Sequence, residues 1–150
     1  MKKPECFMKL ALKEAQKAAF EDEIPVGCII VKGDRIVARG HNLREKKNLT
    51  ISHAEIETIN KANKKLNSWR LNDCDIYITL EPCLMCMGAI LDAHFKTVYF
   101  GAFDYKAGAI SSLNVLNNKN LDYKPLAYGG ILEEECSKLI KDYFEYKRIK

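Results

Sequence analysis

Two short stretches carry residue types that can do chemistry: Ser52-His53-Ala54-Glu55 and Glu81-Pro82-Cys83-Leu84-Met85-Cys86. Cysteines three apart in the first turn of a helix lie on one face, so both thiols can reach a single ion. The positive end of that helix also favours their thiolate form. His53 can supply a third donor. Zinc takes sulfur and nitrogen ligands, usually in a tetrahedron, and three protein ligands leave the fourth position to water, as in catalytic rather than structural sites. Glu55 follows His53 by two residues, so its carboxylate can stand beside that open position without being a ligand. There it can take a proton from water, return it to a substrate nitrogen, and then pass one to a leaving amine.

Each stretch alone has a plainer reading. Ser52-x-x-Glu55 is also the pattern of a capping box, and His53 alone reads as a half-buried helix residue. Cys83-x-x-Cys86 between a strand and a helix also fits a thioredoxin-like redox pair. A structural zinc module that only binds RNA needs four protein ligands; a fourth is not evident, and Glu55 would have no task. Of the other cysteines, Cys6, Cys28, Cys74 and Cys136 read as packing, with Cys74 the one spare ligand to watch. Glu81 stands before Pro82, which holds its backbone extended, and reads as structural.

The elements that must position these residues follow from periodicity and turn chemistry. Pro4 suits a first helical turn, and Met8, Leu12, Ala15 and Ala19 then mark one helical face. Gly27–Val31 is a short apolar strand, and Gly33-Asp34 turns it into Arg35–His41. Ile56, Ile59 and Ala62 predict a helix to about Lys65. Asp75–Leu80 is a buried strand ended by Pro82, followed by a helix from about Cys83 to Asp92 and a strand at Thr97–Gly101. Ala102–Lys124 is irregular, with an Asn-rich tip. A short strand at Leu126–Gly129 precedes a last helix from near Leu132, whose Glu133–Glu135 and Lys147–Arg148 complement its dipole. The succession α-β-β-α-β-α-β-α-β-α implies an α/β fold with helices on both faces of a sheet. Strand order is not readable from it.

Composition sets the frame. The 150 residues, 47% hydrophobic and 29% charged, suit one globular domain over 1–150 and exclude disorder, collagen and coiled coil. No apolar run approaches the roughly 18 residues of a membrane span. Glu5, Lys9, Lys13 and Glu14 interrupt any export signal, so the expected location is the cytoplasm. Six cysteines without a secretory context favour a metal site over a disulfide framework. The net charge of +4 permits a polyanionic partner without demanding one.

His-x-Glu upstream of Pro-Cys-x-x-Cys, each opening a helix, is the zinc deaminase signature. From Ile24 to about Gly108, and more loosely to Arg148, the chain resembles the bacterial tRNA-specific adenosine deaminases of the cytidine deaminase superfamily. The resemblance rests on Ile24-Pro25-Val26-Gly27, Gly40-His41-Asn42, His53-Ala54-Glu55, Trp69-Arg70-Leu71, Thr79–Cys86 and Phe100–Ala109. The zinc signature is shared across the superfamily, whereas the Trp-Arg-Leu and Phe100–Ala109 stretches carry the substrate. Tyr105 departs from the family's usual loop.

The resemblance implies a three-layer α/β/α fold with a central mixed sheet of about five strands, cytidine deaminase-like. It implies one Zn2+ per subunit on His53, Cys83 and Cys86, with Glu55 as the proton shuttle. The implied reaction is hydrolytic deamination of adenosine to inosine at the first (wobble) anticodon position of tRNA, within a homodimer whose subunits both touch each RNA. Asn42 would hydrogen-bond the flipped nucleoside and Ala54 would lend its N–H to the base. Asp104 and Lys106 would lie along an RNA-contacting loop, with Phe144, Lys147 and Arg148 near the anticodon stem-loop. The residues alone suggest blander roles: turns for Asn42 and Asp104, exposed or core-edge aromatics for Phe103 and Tyr105, and a solvated face for Lys61, Lys64, Lys65 and Arg70. Lys147, Arg148 and Lys150 serve the helix dipole equally well. The rival that keeps the chemistry is a zinc deaminase of a free base or nucleoside (guanine, cytosine or cytidine), which a small closed pocket would fit.

Overall fold

Pro4 opens helix α1 (Pro4–Phe20) within its first turn, where a missing N–H breaks no helical bond; the computed structural model describes residues 2–149, so Lys150 lies outside the described residues. The buried stripe of α1 is Phe7, Met8, Ala11, Ala15 and Ala18. The face expected through Leu12 and Ala19 is therefore rotated, and both of those are only half-buried. Close approach to strand β1 (Gly27–Lys32) explains the rotation. A Cβ at Gly27 would stand 1.9 Å from the Ala11 carbonyl oxygen, so only small residues fit where the helix crosses that strand.

Gly33-Asp34 turns β1 into β2 (Arg35–His41), with Gly33 at φ +63°, a region glycine enters without strain. A four-residue helix α2 (Arg44–Lys47) follows; it buries nothing, so no apolar period announces it. Then come α3 (Ala54–Leu66), β3 (Cys74–Leu80), α4 (Leu84–Ala93), β4 (Thr97–Ala102), β5 (Leu126–Tyr128) and α5 (Glu133–Ile149). Asn67 and His94 end α3 and α4 in the left-handed conformation. Between β4 and β5 the described residues form only a 3-10 turn at Val115–Asn117. The irregular reading of Ala102–Lys124 therefore holds, and the succession written with a helix at that point counts one element too many.

The sheet order is β2-β1-β3-β4-β5, with β1 antiparallel to both neighbours and β3, β4 and β5 mutually parallel. Alternation along the central strands feeds two cores. Cys28, Ile30, Ile76 and Ile78 pack with Ala54, Ile59 and Ala62 of α3 and Met87 and Ile90 of α4. Ile29, Val31 and Tyr77 face the other way, toward Phe7, Met8 and Ala11 of α1 and Cys136 of α5. The mixed five-stranded, three-layer arrangement is the one implied by the resemblance. Among the described residues, no helix is long and apolar enough to cross a membrane. Gly27→Ala, which drives a methyl into the α1 backbone, is expected to destabilise the fold by about 3 kcal/mol or more, measured as a lower urea midpoint at unchanged slope.

Candidate active site

Every loop that builds the site leaves the sheet at one edge. Ile24 and Val26 lead into β1, Asn42 follows β2, Glu81 follows β3, and Asp104 lies just past β4. This is the carboxyl end of the parallel strands, where open α/β sheets characteristically form ligand crevices. Two helices begin there. His53 is the N-cap residue of α3 and Cys83 that of α4, both with extended backbones and neither using its side chain as a cap. The capping box expected from Ser52 is therefore not formed. His53 occupies the cap position, Ser52 is buried one residue earlier, and the Glu55 side chain faces the site.

His53 Nδ1 stands 3.4 Å from Cys86 Sγ and 3.7 Å from Cys83 Sγ. A tetrahedral zinc with Zn–S of about 2.3 Å and Zn–N of about 2.0–2.1 Å holds its N and S donors about 3.6 Å apart, so this spacing fits the ion. These are the three residues whose donor atoms gather within 4.8 Å of one another among the described residues. Cys74 is not with them: it begins β3, at the opposite edge of the sheet, and is buried in the core. Cys6, read as packing, is exposed on α1. Hydrogen bonds from Cys86 and His53 pull the Cys83 thiol down to about 4. The bond to Cys83 and then burial push Cys86 up, and His53 is raised, first by its own bond to Cys83. A cluster that already shares protons in this way suits a soft divalent cation.

Glu55 is 4% exposed and lies outside the three-donor group. Burial pushes its carboxyl up to about 7, against a lowering contact with its own backbone N–H. A carboxyl near neutrality both takes and returns a proton readily. The second carboxylate of the pocket, Glu81, is fully engaged instead. Its oxygens accept from the N–H groups of Asp104 (3.0 Å), Ile110 (3.0 Å) and Ser111 (2.6 Å) and from the Ser111 hydroxyl (2.6 Å). The structural reading of Glu81 therefore stands, although its distant partners were not visible in sequence.

The donors open onto a cavity of about 240 Å³ lined by His53, Ala54, Glu55, Cys83, Asn42, Arg44, Asp104 and Ala107 among others. Ala54 is buried at the first turn of α3, where N–H groups have no helical acceptor. Asn42 lines the cavity and also closes a turn: its Nδ2 donates to the Ile24 carbonyl (3.3 Å) and its Oδ1 accepts from Arg44 N–H (3.1 Å). Asp104 lines the cavity too, while Oδ1 accepts from the N–H groups of Lys106 and Ala107 (3.1 and 3.0 Å). Lys106 is exposed beyond it and does not line the cavity. Phe103 stacks on the exposed ring of Tyr105.

A second cleft, about 580 Å³, shares Ile24, Asn42 and Arg44 with the first and continues past Lys46, Tyr143 and Lys147. Lys147 is thus brought near the site, paired with Asp22 at 2.8 Å. Phe144 and Arg148 are exposed on α5 and line neither cavity. Sequence reasoning missed Arg44 and Glu23. Arg44 stands in the unannounced α2. Glu23 is 0% exposed and accepts from the N–H groups of Glu45 and Lys46 (2.9 and 2.7 Å) at the start of α2. Its setting in Glu21-Asp22-Glu23 looks like a solvated acidic run, so nothing in the pattern marks it as buried.

A sequence model of the cytidine and deoxycytidylate deaminase zinc-binding region matches residues 1–102. The chain belongs to this family. The tRNA-specific adenosine deaminase of Bacillus subtilis (strain 168) is 42% identical over 151 residues, covering 100% of this chain and 94% of its own length. A solved structure from biochemical and structural studies of A-to-I editing by tRNA:A34 deaminases at the wobble position of transfer RNA superposes with a TM-score of 0.86. It is 39% identical and covers 89% of this chain and 97% of that one. The guanine deaminase of Bacillus subtilis is 40% identical with a TM-score of 0.63, over 66% of this chain and 64% of that one. The cofactor of this deaminase is zinc, in keeping with the family's zinc-binding region and with the three-donor cluster.

Behind the outer cleft, Glu14 of α1 is 4% exposed. It accepts from Lys17 Nζ at 2.7 Å and lies 3.2 Å from His41 Nδ1. Burial alone would raise its carboxyl, but the bonds to Lys17 and His41 outweigh it and hold the group below its ordinary value of 4.5. A depressed carboxyl adds stability that is fully present above the unfolded value and is lost as pH falls through the folded one. Glu14→Gln is therefore expected to cost about 1–3 kcal/mol at pH 7. The gap to the parent should narrow as pH falls from 4.5 through the lowered folded value, followed by urea unfolding at a series of pH values.

Proposed function

We propose that this chain hydrolytically deaminates adenosine to inosine at the first (wobble) anticodon position of tRNA. The observation that carries the reading is a cavity of about 240 Å³ at the donor cluster beside a larger cleft of about 580 Å³, the two sharing Ile24, Asn42 and Arg44. One base can enter while its strand stays outside, as deamination of a flipped-out base requires. Relatives named tRNA-specific adenosine deaminase match along nearly the whole chain, which supports the same substrate.

His53, Cys83 and Cys86 would hold the zinc. When bound, zinc supplies Lewis acidity that brings the ionisation of a water near neutral pH. Glu55 takes the proton from the attacking water and delivers it to a ring nitrogen as the C6–O bond forms. A further proton transfer through Glu55 to the 6-amino group lets the C–N bond break, so that water and adenosine give inosine and ammonia. Asn42 and the Ala54 N–H orient the nucleoside. Asp104 and Lys106 meet the neighbouring RNA, and Phe144, Lys147 and Arg148 extend the contact along α5.

We read residues 1–150 as one domain acting in the cytoplasm as a homodimer. Exposed Ile51 and Leu84 flank the donor residues and offer an apolar rim to a second copy; light scattering should return twice the monomer mass. The second reading is a free-base deaminase, favoured by the likeness to guanine deaminase.

Zinc-loaded protein is expected to form inosine in an anticodon stem-loop with adenosine at the first anticodon position, and to leave free adenosine, cytidine and guanine unchanged. Turnover of guanine alone would transfer the assignment to the second reading. Glu55→Ala should keep one zinc per chain and lose 10²–10⁴-fold in turnover, whereas Cys83→Ala or Cys86→Ala should lose the metal itself, read by elemental analysis.

A further inference from the structure

The loop after β4 forms one wall of the cavity through Asp104 and Ala107. It contains no helix or strand until the 3-10 turn at Val115, so its backbone groups need partners from elsewhere. Three of its N–H groups find theirs in one side chain. Glu81 is 2% exposed. Its Oε1 accepts from Asp104 N–H and the Ser111 hydroxyl, and its Oε2 from the N–H groups of Ile110 and Ser111. An ionised carboxylate offers about four acceptor sites, and all are used. The Ala109 N–H to Pro82 carbonyl bond (2.9 Å) and an isolated bridge between Cys83 and Gly108 add to the same joint. Gly108 is shaped to this carboxylate: a Cβ there would stand 2.3 Å from its carbon and 2.4 Å from Oε2.

We propose that Glu81 is a positioning residue for substrate affinity. It ties the Asp104–Ser111 wall to the start of α4, so that the distance from that wall to the donor cluster is set by one buried carboxylate. The inference rests on the RNA deaminase reading for its substrate, but not for the joint itself. A glutamine at this position has only one acceptor oxygen, and its amide group meets donors where an acceptor is needed. Glu81→Gln therefore releases the wall while leaving His53, Cys83, Cys86 and Glu55 in place.

The test measures three things on the zinc-loaded protein. In Glu81→Gln, zinc content should remain one per chain. Amide exchange at Asp104, Ile110 and Ser111 should accelerate at least tenfold, while that of the β1 and β3 core is unchanged. KM for the anticodon stem-loop should rise at least tenfold with kcat within threefold. Gly108→Ala, whose methyl would meet this carboxylate and also the Asp104 carbonyl oxygen (2.5 Å), should likewise accelerate exchange at the three amides and raise KM at constant zinc content. Ser111→Ala removes one hydroxyl bond and should raise KM about two- to threefold. It keeps the inference testable if Glu81→Gln does not fold. Unchanged exchange at the three amides or a fall in kcat at constant KM would each overturn the assignment. If the parent protein does not act on the stem-loop, the RNA reading fails, and the exchange measurements still decide whether Glu81 holds the wall.

Discussion

Two helix N-termini converge on one point at the edge of this sheet, and the rest of the site depends on that convergence. α3 and α4 pack on the same sheet face through Ala54, Ile59, Ala62, Met87 and Ile90, and each starts at the edge where β3 ends. His53 and Cys83 are therefore the two cap residues, and Cys86 is one turn further on. The positive ends of both helices lie at the cluster, which favours the thiolate of Cys83. Neither motif could assemble the donor set alone. Burial of two short apolar helix faces in one core brings them together.

Around that point lie several buried carboxylates, and their partners separate structural from chemical roles. An ionised carboxylate is costly to bury unless hydrogen-bonded or paired. Glu81 and Glu23 meet the condition with backbone N–H groups, fixing the Asp104 loop and α2 on either side of the cavity. Glu14 meets it with Lys17 and His41, and Glu57 with Lys47 at 2.7 Å. Glu55 differs in outcome: burial outweighs its lowering contacts and pushes its carboxyl up to about 7, whereas the carboxyl of Glu14 is held below its ordinary value. The acid whose carboxyl lies near neutrality beside the donors is the one suited to proton transfer.

The two connected clefts bear on substrate size. A small inner cavity by itself fits a free base as well as a flipped one. Its opening past Arg44 toward Tyr143 and Lys147 gives an attached strand somewhere to lie. The charges along the outer cleft are mixed, with Lys46 and Lys147 paired to Glu21 and Asp22. Shape rather than net field is therefore what distinguishes it from a closed pocket.

Much of this was legible in the residues. Residue type and spacing are local properties, so His53, Cys83 and Cys86 could be singled out as candidate donors and Glu55 as the acid beside them, and the fold does bring these residues together; the strand that delivers Pro82 and the helices that open behind it were equally legible. The order of the sheet, the rotation of the α1 stripe toward Ala11 and Ala18, and the exclusion of Cys74 from the cluster were not legible. Each depends on how closely segments far apart in sequence approach one another. The same holds for Ser52, whose capping pattern is locally sound but loses its place to His53, and for α2, which has no apolar face to reveal it. The sharpest limit concerns the acids. Glu23, Glu55 and Glu81 look alike in a sequence, but their roles depend on which backbone N–H groups reach them. For Glu81 the donors lie 23–30 residues away, and only the tertiary fold brings them within hydrogen-bonding distance.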